Sequence, residues 1–264
     1  MRKLGYYLRF SATFSLLILV LYPLFTQAAD PGVKKDELVG HWTFEKGVEL
    51  KDLTGNFPDV KLMGAKISKG ALDVDSGKWA ITVGEYKGPD ITDKTLVSWA
   101  TMQDISVTKG SILCIDKISG DHFDSIVYAE RQPNQWMPGS SHFRRTDDPK
   151  PGFKETKTGI EIMIAISYKE AKATEVKIYR NGEKIGGYEK GPTITWTEDD
   201  AEVMWGKRHG NVGGGPGDLD CLIHESRIYG VVLTEKEIKS LKLGSLAVQA
   251  SDKLSTKWAL IKEK

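Results

Sequence analysis

The stretch TEVKIYRNGEKIGGY, residues 174–188, reads as a β-hairpin complete with its turn. Val176 and Ile178 alternate with Lys177 and Tyr179, so apolar and polar side chains point to opposite faces. Arg180-Asn181-Gly182-Glu183 then reverses the chain. Asn181 and Gly182 supply the two positive-φ residues that a tight type I′ turn needs, so the register is set locally.

The same period of two extends along the chain from Leu38. LVGHWTFE, ALDVD, WAITV, KTLVSWATM, SILCIDK, DSIVYAE, IEIMIAISY, AEVMWG and LDCLIHESRIY all read as strands, with turn residues roughly every ten positions. This spacing predicts an all-β sandwich or barrel. One segment breaks the period: LTEKEIKSLKL places Leu233, Ile238, Leu241 and Leu243 on a helical stripe. Thr234 and Glu237 are set as a capping box, so a short C-terminal helix is expected there. Beyond it, residues 242–264 have no clear period, and either an extended strap anchored by Trp258 or a mobile tail is expected. No internal repeat is evident.

The N-terminus has a different character. Arg2, Lys3 and Arg9 surround or precede an apolar run from Phe10 to Phe25, followed by TQAAD. Thr26 and Ala28 occupy the small-residue positions of a signal-peptidase site, which predicts a signal peptide over 1–28 with cleavage before Ala29. A retained anchor would want about 20 apolar residues, and Pro23 interrupts this shorter run. The expected location is therefore extracytoplasmic, secreted or periplasmic, with no membrane span after cleavage. Losing Arg2, Lys3 and Arg9 leaves 34 basic against 36 acidic residues. That balance offers no electrostatic case for nucleic acid. The remaining chain is long enough for one large sandwich. With 27 Gly and 7 Trp among many short apolar runs, it does not have a disordered composition.

The two cysteines, Cys114 and Cys221, both sit in apolar strand-like runs. In an oxidising compartment they are candidates for a disulfide closing a loop of about 100 residues. Two buried thiols acting as small hydrophobes is the other reading, and the sequence leaves both open.

Several landmarks, in order, resemble the LamG-like jelly-roll family of the concanavalin A-like lectin and glucanase superfamily. GHWTFE is similar to its opening aromatic strand, and LKDLTGNFPDVKLMG to its Asp-x-Ser/Thr-Gly-Asn turn. GALDVDSGKWAITV, TLVSWATMQD, VKIYRNGEKIG and LIHESRIYGVVLTEKEI follow as its next segments. The resemblance runs from Leu38 to Leu241 and implies a two-sheet antiparallel jelly-roll sandwich over 29–241. IEIMIAISY lacks the family's Trp-His, and His224 stands where Asp is common.

The resemblance frames three expectations for a site. The first is a non-catalytic, lectin-like module binding a polysaccharide or glycan, with a protein partner as the alternative. Aromatic faces stack on sugars while polar side chains read hydroxyls, and the loop residues with these properties are Trp136, His142, Arg144, Arg145, Trp205 and His209. Trp136 sits in a Pro/Gly-rich loop, and stacking and end-plugging are equally open for it. Trp205 leans to the core, while Trp42, Trp79 and Trp99 read as core. The second is one structural calcium ion joining the N-terminal turn to the last strand, held by Asp52, Asn56 and Glu225. The alternative is an Asx-turn at Asp52. The third is glycoside hydrolysis by carboxylates of TEDDAEV, where Glu198, Asp200 and Glu202 alternate. Asp199 at an inward position argues instead for a solvated acidic loop. A protein-binding or envelope structural module is the remaining rival.

Overall fold

The computed structural model describes residues 32–140, 148–209 and 217–246. Residues 1–28, where a signal peptide is expected, and His142, Arg144, Arg145 and Trp258 lie outside the described residues. After a single 3-10 turn at Lys35–Glu37, the strands are β1 (Leu38–Trp42), β2 (Val60–Met63), β3 (Lys66–Ser68), β4 (Ala71–Val74) and β5 (Trp79–Thr82). They continue as β6 (Lys94–Met102), β7 (Ser111–Asp116), β8 (Phe123–Tyr128), β9 (Trp136–Ser140) and β10 (Glu161–Lys169). The hairpin β11 (Glu175–Arg180) and β12 (Glu183–Glu189), β13 (Glu202–Trp205), β14 (Cys221–Tyr229) and helix α1 (Glu235–Ser240) complete the order.

The strands form two antiparallel sheets, as the alternation implied. One has eight strands ordered β12-β11-β10-β6-β14-β4-β3, with β1 also on β14. The other has six, ordered β2-β5-β13-β7-β8-β9. This is a jelly-roll-type sandwich with one short helix. In the hairpin, Arg180 pairs with Glu183 across a two-residue loop. Asn181 and Gly182 have φ of 49° and 84°, the positive values a type I′ turn demands.

The inner faces share one core, in which Leu96, Ile164 and Ile178 are fully buried. At its centre Trp205 meets Trp42 edge-on, with ring centroids 5.0 Å apart, and donates its indole N–H to Ser226 Oγ at 3.0 Å. A buried ion pair crosses between the sheets, with Lys94 Nζ 3.2 Å from Asp124 Oδ2 and 4.3 Å from the centroid of the Trp196 ring.

Outside the sandwich, two smaller apolar clusters cover the sheets. Helix α1 and the residues flanking it pack Ile238, Leu233 and Leu241 over Trp99, Met163 and Tyr179 on the eight-stranded sheet. Its capping box is present: Thr234 and Glu237 satisfy each other's backbone N–H groups. On the six-stranded sheet, Cys114, Phe123 and Met204 are buried, with Trp79 and Ile81 packed beside them.

The expected disulfide is not formed. Cys114 and Cys221 are free and buried. Cys114 belongs to the outer cluster of the six-stranded sheet, whereas Cys221 faces the central core from the other sheet. Apolar packing separates them.

A candidate site on the outer face of the six-stranded sheet

Four adjacent strands build this face. Pairing of β13 with β7 sets Glu202 directly opposite Asp116 and Met204 opposite Cys114. Strand β8 brings Phe123 opposite Asp116, and β5 brings Ile81 opposite Met204. Strand alternation sends Val203 and Trp205 inward, leaving Glu202 and Met204 to point out.

The chain then folds back over the face it has just built. Gly206 follows β13 at φ 80°, and a Cβ there would lie 2.6 Å from the Lys78 carbonyl oxygen. Only glycine fits that reversal. The next three residues lie across the sheet. Lys207 Nζ sits 4.4 Å from the Trp79 ring centroid. Arg208 pairs with Glu130, and its carbonyl accepts from the Cys114 thiol at 2.7 Å. The His209 ring stacks on Phe123 at 4.8 Å with planes 21° apart. Its Nδ1 lies 2.7 Å from Asp116 Oδ1, and its Nε2 contacts the exposed Asp121 carboxylate.

Charge is concentrated here on groups that range from the buried Asp116 to the exposed Asp121. Burial, then the neighbouring Asp116 carboxylate, pushes the Glu202 carboxyl up to about 7, with Lys207 and His209 only partly offsetting this. Burial disfavours the His209 imidazolium, but Asp116 and then Asp121 outweigh it, and the net direction is upward. The face thus pairs a half-buried indole and a lysine at one end with a carboxyl–carboxylate–imidazole group at the other. Four residues at about 3.3 Å each separate the ends along β5, roughly 13 Å. Such a strip can stack a ring, donate to hydroxyls and accept from them.

The structure brings together few of the residues singled out from the sequence. His209 is on this face. Trp205 is on the opposite side of the same strand, in the core. Trp136 is only 1% exposed. It packs on Tyr128 and donates its N–H to Glu155 Oε1 at 3.1 Å. Glu155 is held in turn by Arg180 in a bidentate pair at 2.7 and 2.9 Å. Trp136 therefore locks the loop at Glu155 to the hairpin and does not present a ring to solvent. Trp79, expected in the core, is instead half-buried on this face. Its strand position satisfied the core pattern, but it faces the outer cluster. Of the acidic run, only Glu202 lies on a strand. Glu198 and Asp200 fall in the turn before it, where Asp200 pairs with Lys117 at 2.9 Å. The three do not share a strand face.

The expected calcium donors are also committed elsewhere. Asp52 Oδ1 accepts from the backbone N–H of His41 at 2.8 Å and of Thr54 at 3.1 Å. Its Oδ2 accepts from Thr54 Oγ1 and from the N–H groups of Asn56 and Phe57. The Asn56 side chain donates to the Val39 carbonyl. Glu225 accepts from His41, Arg227 and the Gly244 N–H. The Asp52 and Glu225 oxygens do not fit a calcium site, since they face N–H and O–H donors rather than an open sphere. Among the described residues, no group of three or more His, Cys, Asp or Glu side chains is arranged for a metal.

Structural comparison supports the fold. Trypanosoma rangeli sialidase, in complex with 2,3-difluorosialic acid, aligns with TM-score 0.58 at 16% identity over 80% of this chain and 34% of its own. The chain thus spans about a third of the sialidase. Domain 4 of an extracellular arabinanase from Geobacillus stearothermophilus, in complex with arabinotriose, aligns with TM-score 0.50 at 21% identity, covering 77% of this chain and 97% of that domain. The binding domain of botulinum neurotoxin serotype G gives TM-score 0.51 at 11% identity, covering 77% and 50%. At these identities the likeness is one of fold. No curated protein sequence matches the chain. Residues 162–239, from β10 through the hairpin and into α1, match the family model described as the concanavalin A-like lectin/glucanases superfamily, and that is the family pattern this stretch carries.

Proposed function

We propose that this is an exported, non-catalytic carbohydrate-binding module whose ligand lies along the outer face of the six-stranded sheet. The carrying observation is the juxtaposition of half-buried Trp79 and Lys207 with Glu202 and the His209–Asp116 pair on one face. A saccharide needs such a surface, apolar enough to stack on and polar enough to read hydroxyls. The 2,3-difluorosialic acid and arabinotriose complexes of two fold neighbours are consistent with this reading. The signal-like N-terminus supports secretion or periplasmic location. The test is retention on insoluble polysaccharides and glycan arrays by the mature chain. Trp79→Ala should abolish retention while leaving the fold intact; undiminished binding in that variant dismisses this face.

One observation favours a second reading. Glu202, with a carboxyl that titrates near 7, stands directly across from Asp116. An acid and a carboxylate side by side are what glycoside hydrolysis requires. Polysaccharide hydrolysis that disappears in Glu202→Gln, with binding retained, would convert the module into an enzyme.

A further inference from the structure

The strap Lys207–His209 leaves the sheet from a fixed stem. The Gly206 N–H donates to the Ser111 carbonyl at 2.7 Å, and the Gly206 carbonyl accepts from the Gly217 N–H at 3.4 Å. A Cβ on Gly217 would lie 2.4 Å from the Lys109 carbonyl oxygen, so the backbone passes there as tightly as at Gly206. The ladder partners of β13 end at Trp205, so lifting the strap breaks no strand pairing. A short set of contacts holds it down.

Those contacts differ in their response to pH. Arg208, paired with Glu130, stays charged across the neutral range. Burial pushes the Cys114 thiol well up, so its hydrogen bond to the Arg208 carbonyl keeps its proton. His209 is different. A neutral imidazole has one N–H and can donate to one acceptor only. Here Nδ1 faces Asp116 and Nε2 faces Asp121, so the ring makes both bonds only as an imidazolium. Its stack on Phe123 favours the same cation. The Asp116 side chain is 1% exposed and that of Asp121 82%, so the ring charge matters most to Asp116. Without it, a buried carboxylate loses the cationic half of an ion pair. Glu202, opposite Asp116 on β13, and Lys207 on the strap are the other charged groups facing this cluster.

We infer that His209 is a pH-operated latch: its imidazolium holds the strap on the six-stranded sheet, and loss of the proton lets the strap lift and draws Lys207 off the Trp79 ring. Burial disfavours the cation, but Asp116 and then Asp121 outweigh it, so the folded ring keeps its proton above the ordinary histidine value. The latch is therefore closed below about pH 6.5 and opens as pH rises through the higher folded value. Lys207 and Trp79 form the stacking end of the proposed saccharide face. Regulation of that face rests on the carbohydrate reading; the latch itself does not.

The test is NMR of the isotope-labelled mature chain from about pH 5 to about pH 9. The His209 ring should titrate above its ordinary value. Contacts between the His209 and Phe123 rings, and between Lys207 and Trp79, should be seen as proton–proton Overhauser effects below that midpoint and vanish above it. Glu202 also titrates near neutrality, and in Glu202→Gln the same loss of contacts should persist with the His209 midpoint. In Asp116→Asn the midpoint should fall. A His209 midpoint at or below the ordinary value overturns the proposal, as do contacts that survive its deprotonation. A transition that disappears in Glu202→Gln overturns it too, since the carboxyl would then be the trigger. Polysaccharide retention over the same series should drop severalfold as the contacts vanish, and equal retention on both sides of an observed release overturns the regulation. If no polysaccharide is retained at any pH, the carbohydrate reading fails, and the Overhauser contacts decide the latch by themselves.

Discussion

His41 Nε2 lies 2.7 Å from Glu225 Oε1, and the backbone N–H of the same histidine donates to Asp52 Oδ1 at 2.8 Å. One residue thus ties the N-terminal turn to the last strand, the connection that the sequence resemblance suggested a calcium ion would make. Both His41 and Glu225 are nearly inaccessible, and Arg227 adds a hydrogen bond to the same carboxylate oxygen at 2.6 Å. Burial pushes the Glu225 carboxyl up, but His41 and Arg227 outweigh it and hold it below the usual glutamate range. A depressed carboxyl stabilises the fold above its unfolded value and loses that contribution as pH falls through its folded value.

From this clasp we expect His41→Ala to cost about 3–5 kcal/mol, because it leaves a buried carboxylate short of a partner. Chemical denaturation at neutral pH measures it. The same construction predicts that calcium and chelator leave the melting temperature unchanged. A calcium-dependent rise of several degrees would show that the clasp opens to bind an ion.

Glu202 and His209 make the opposite prediction for pH. Glu202 is raised to about 7, so its contribution is present below the unfolded glutamate range near 4.5 and is lost as pH rises toward 7. His209 is raised as well, so the stability it adds is complete below about 6.5 and lost above its folded value. Stability should therefore decline between pH 5 and 8. Glu202→Gln, which cannot ionise, should flatten the early part of that decline and raise stability at pH 8 by roughly 1–2 kcal/mol, allowing for solvent screening. Melting temperatures over a pH series decide it.

The two tryptophans Trp136 and Trp79 should separate stability from binding. Trp136→Ala opens a cavity and removes the indole donor to Glu155, so a loss of about 3–5 kcal/mol is expected. Trp79→Ala, on a half-buried outer surface, should cost about 1 kcal/mol or less yet remove saccharide retention. Paired denaturation and pull-down measurements test both halves.

Much of this fold was readable because alternation and turn chemistry are local. The strand KTLVSWATM matches β6 residue for residue, the Asn181-Gly182 turn has its expected dihedrals, and the Thr234–Glu237 box caps α1. The short strands β2, β3 and β9 escaped notice. Each has at most five residues, and β9 carries Pro138 and Gly139, which weaken a strand signal. The site was harder to read for a physical reason. Both faces of the six-stranded sheet bury apolar side chains, so alternation could not say whether Trp79 or Trp205 faced the core. That Trp136 plugs the sandwich depends on Glu155 and Arg180, which lie 19 residues beyond it and a further 25 residues along.

The cysteines provide a simple check on the packing. Burial pushes both thiols well above their ordinary range, so neither should react with a thiol reagent in the folded protein. Two equivalents should titrate only after unfolding, and reductant should not shift the melting temperature. A melting temperature that falls on reduction would mean the pair can bridge.

Gly182 supplies the most local test of the hairpin. Its φ is 84°, and a Cβ built there would lie 2.8 Å from the Lys239 Cα of helix α1. Substitution by alanine therefore meets two penalties, a left-handed backbone and a clash with a main-chain atom that cannot step aside. Gly182→Ala should cost more than about 1 kcal/mol and loosen α1 against the turn. At Asn181, φ is 49° but the side chain is tolerated, and its Oδ1 accepts from the Met163 N–H at 2.8 Å. Asn181→Ala should cost about 1 kcal/mol or more through the lost bond and the left-handed backbone, while Asn181→Gly, which eases the turn but loses the bond, should fall closer to wild type. If all three variants were equally stable, the turn would not be setting the register, and the alignment of Lys177 and Lys184 beside Tyr179 would need another cause.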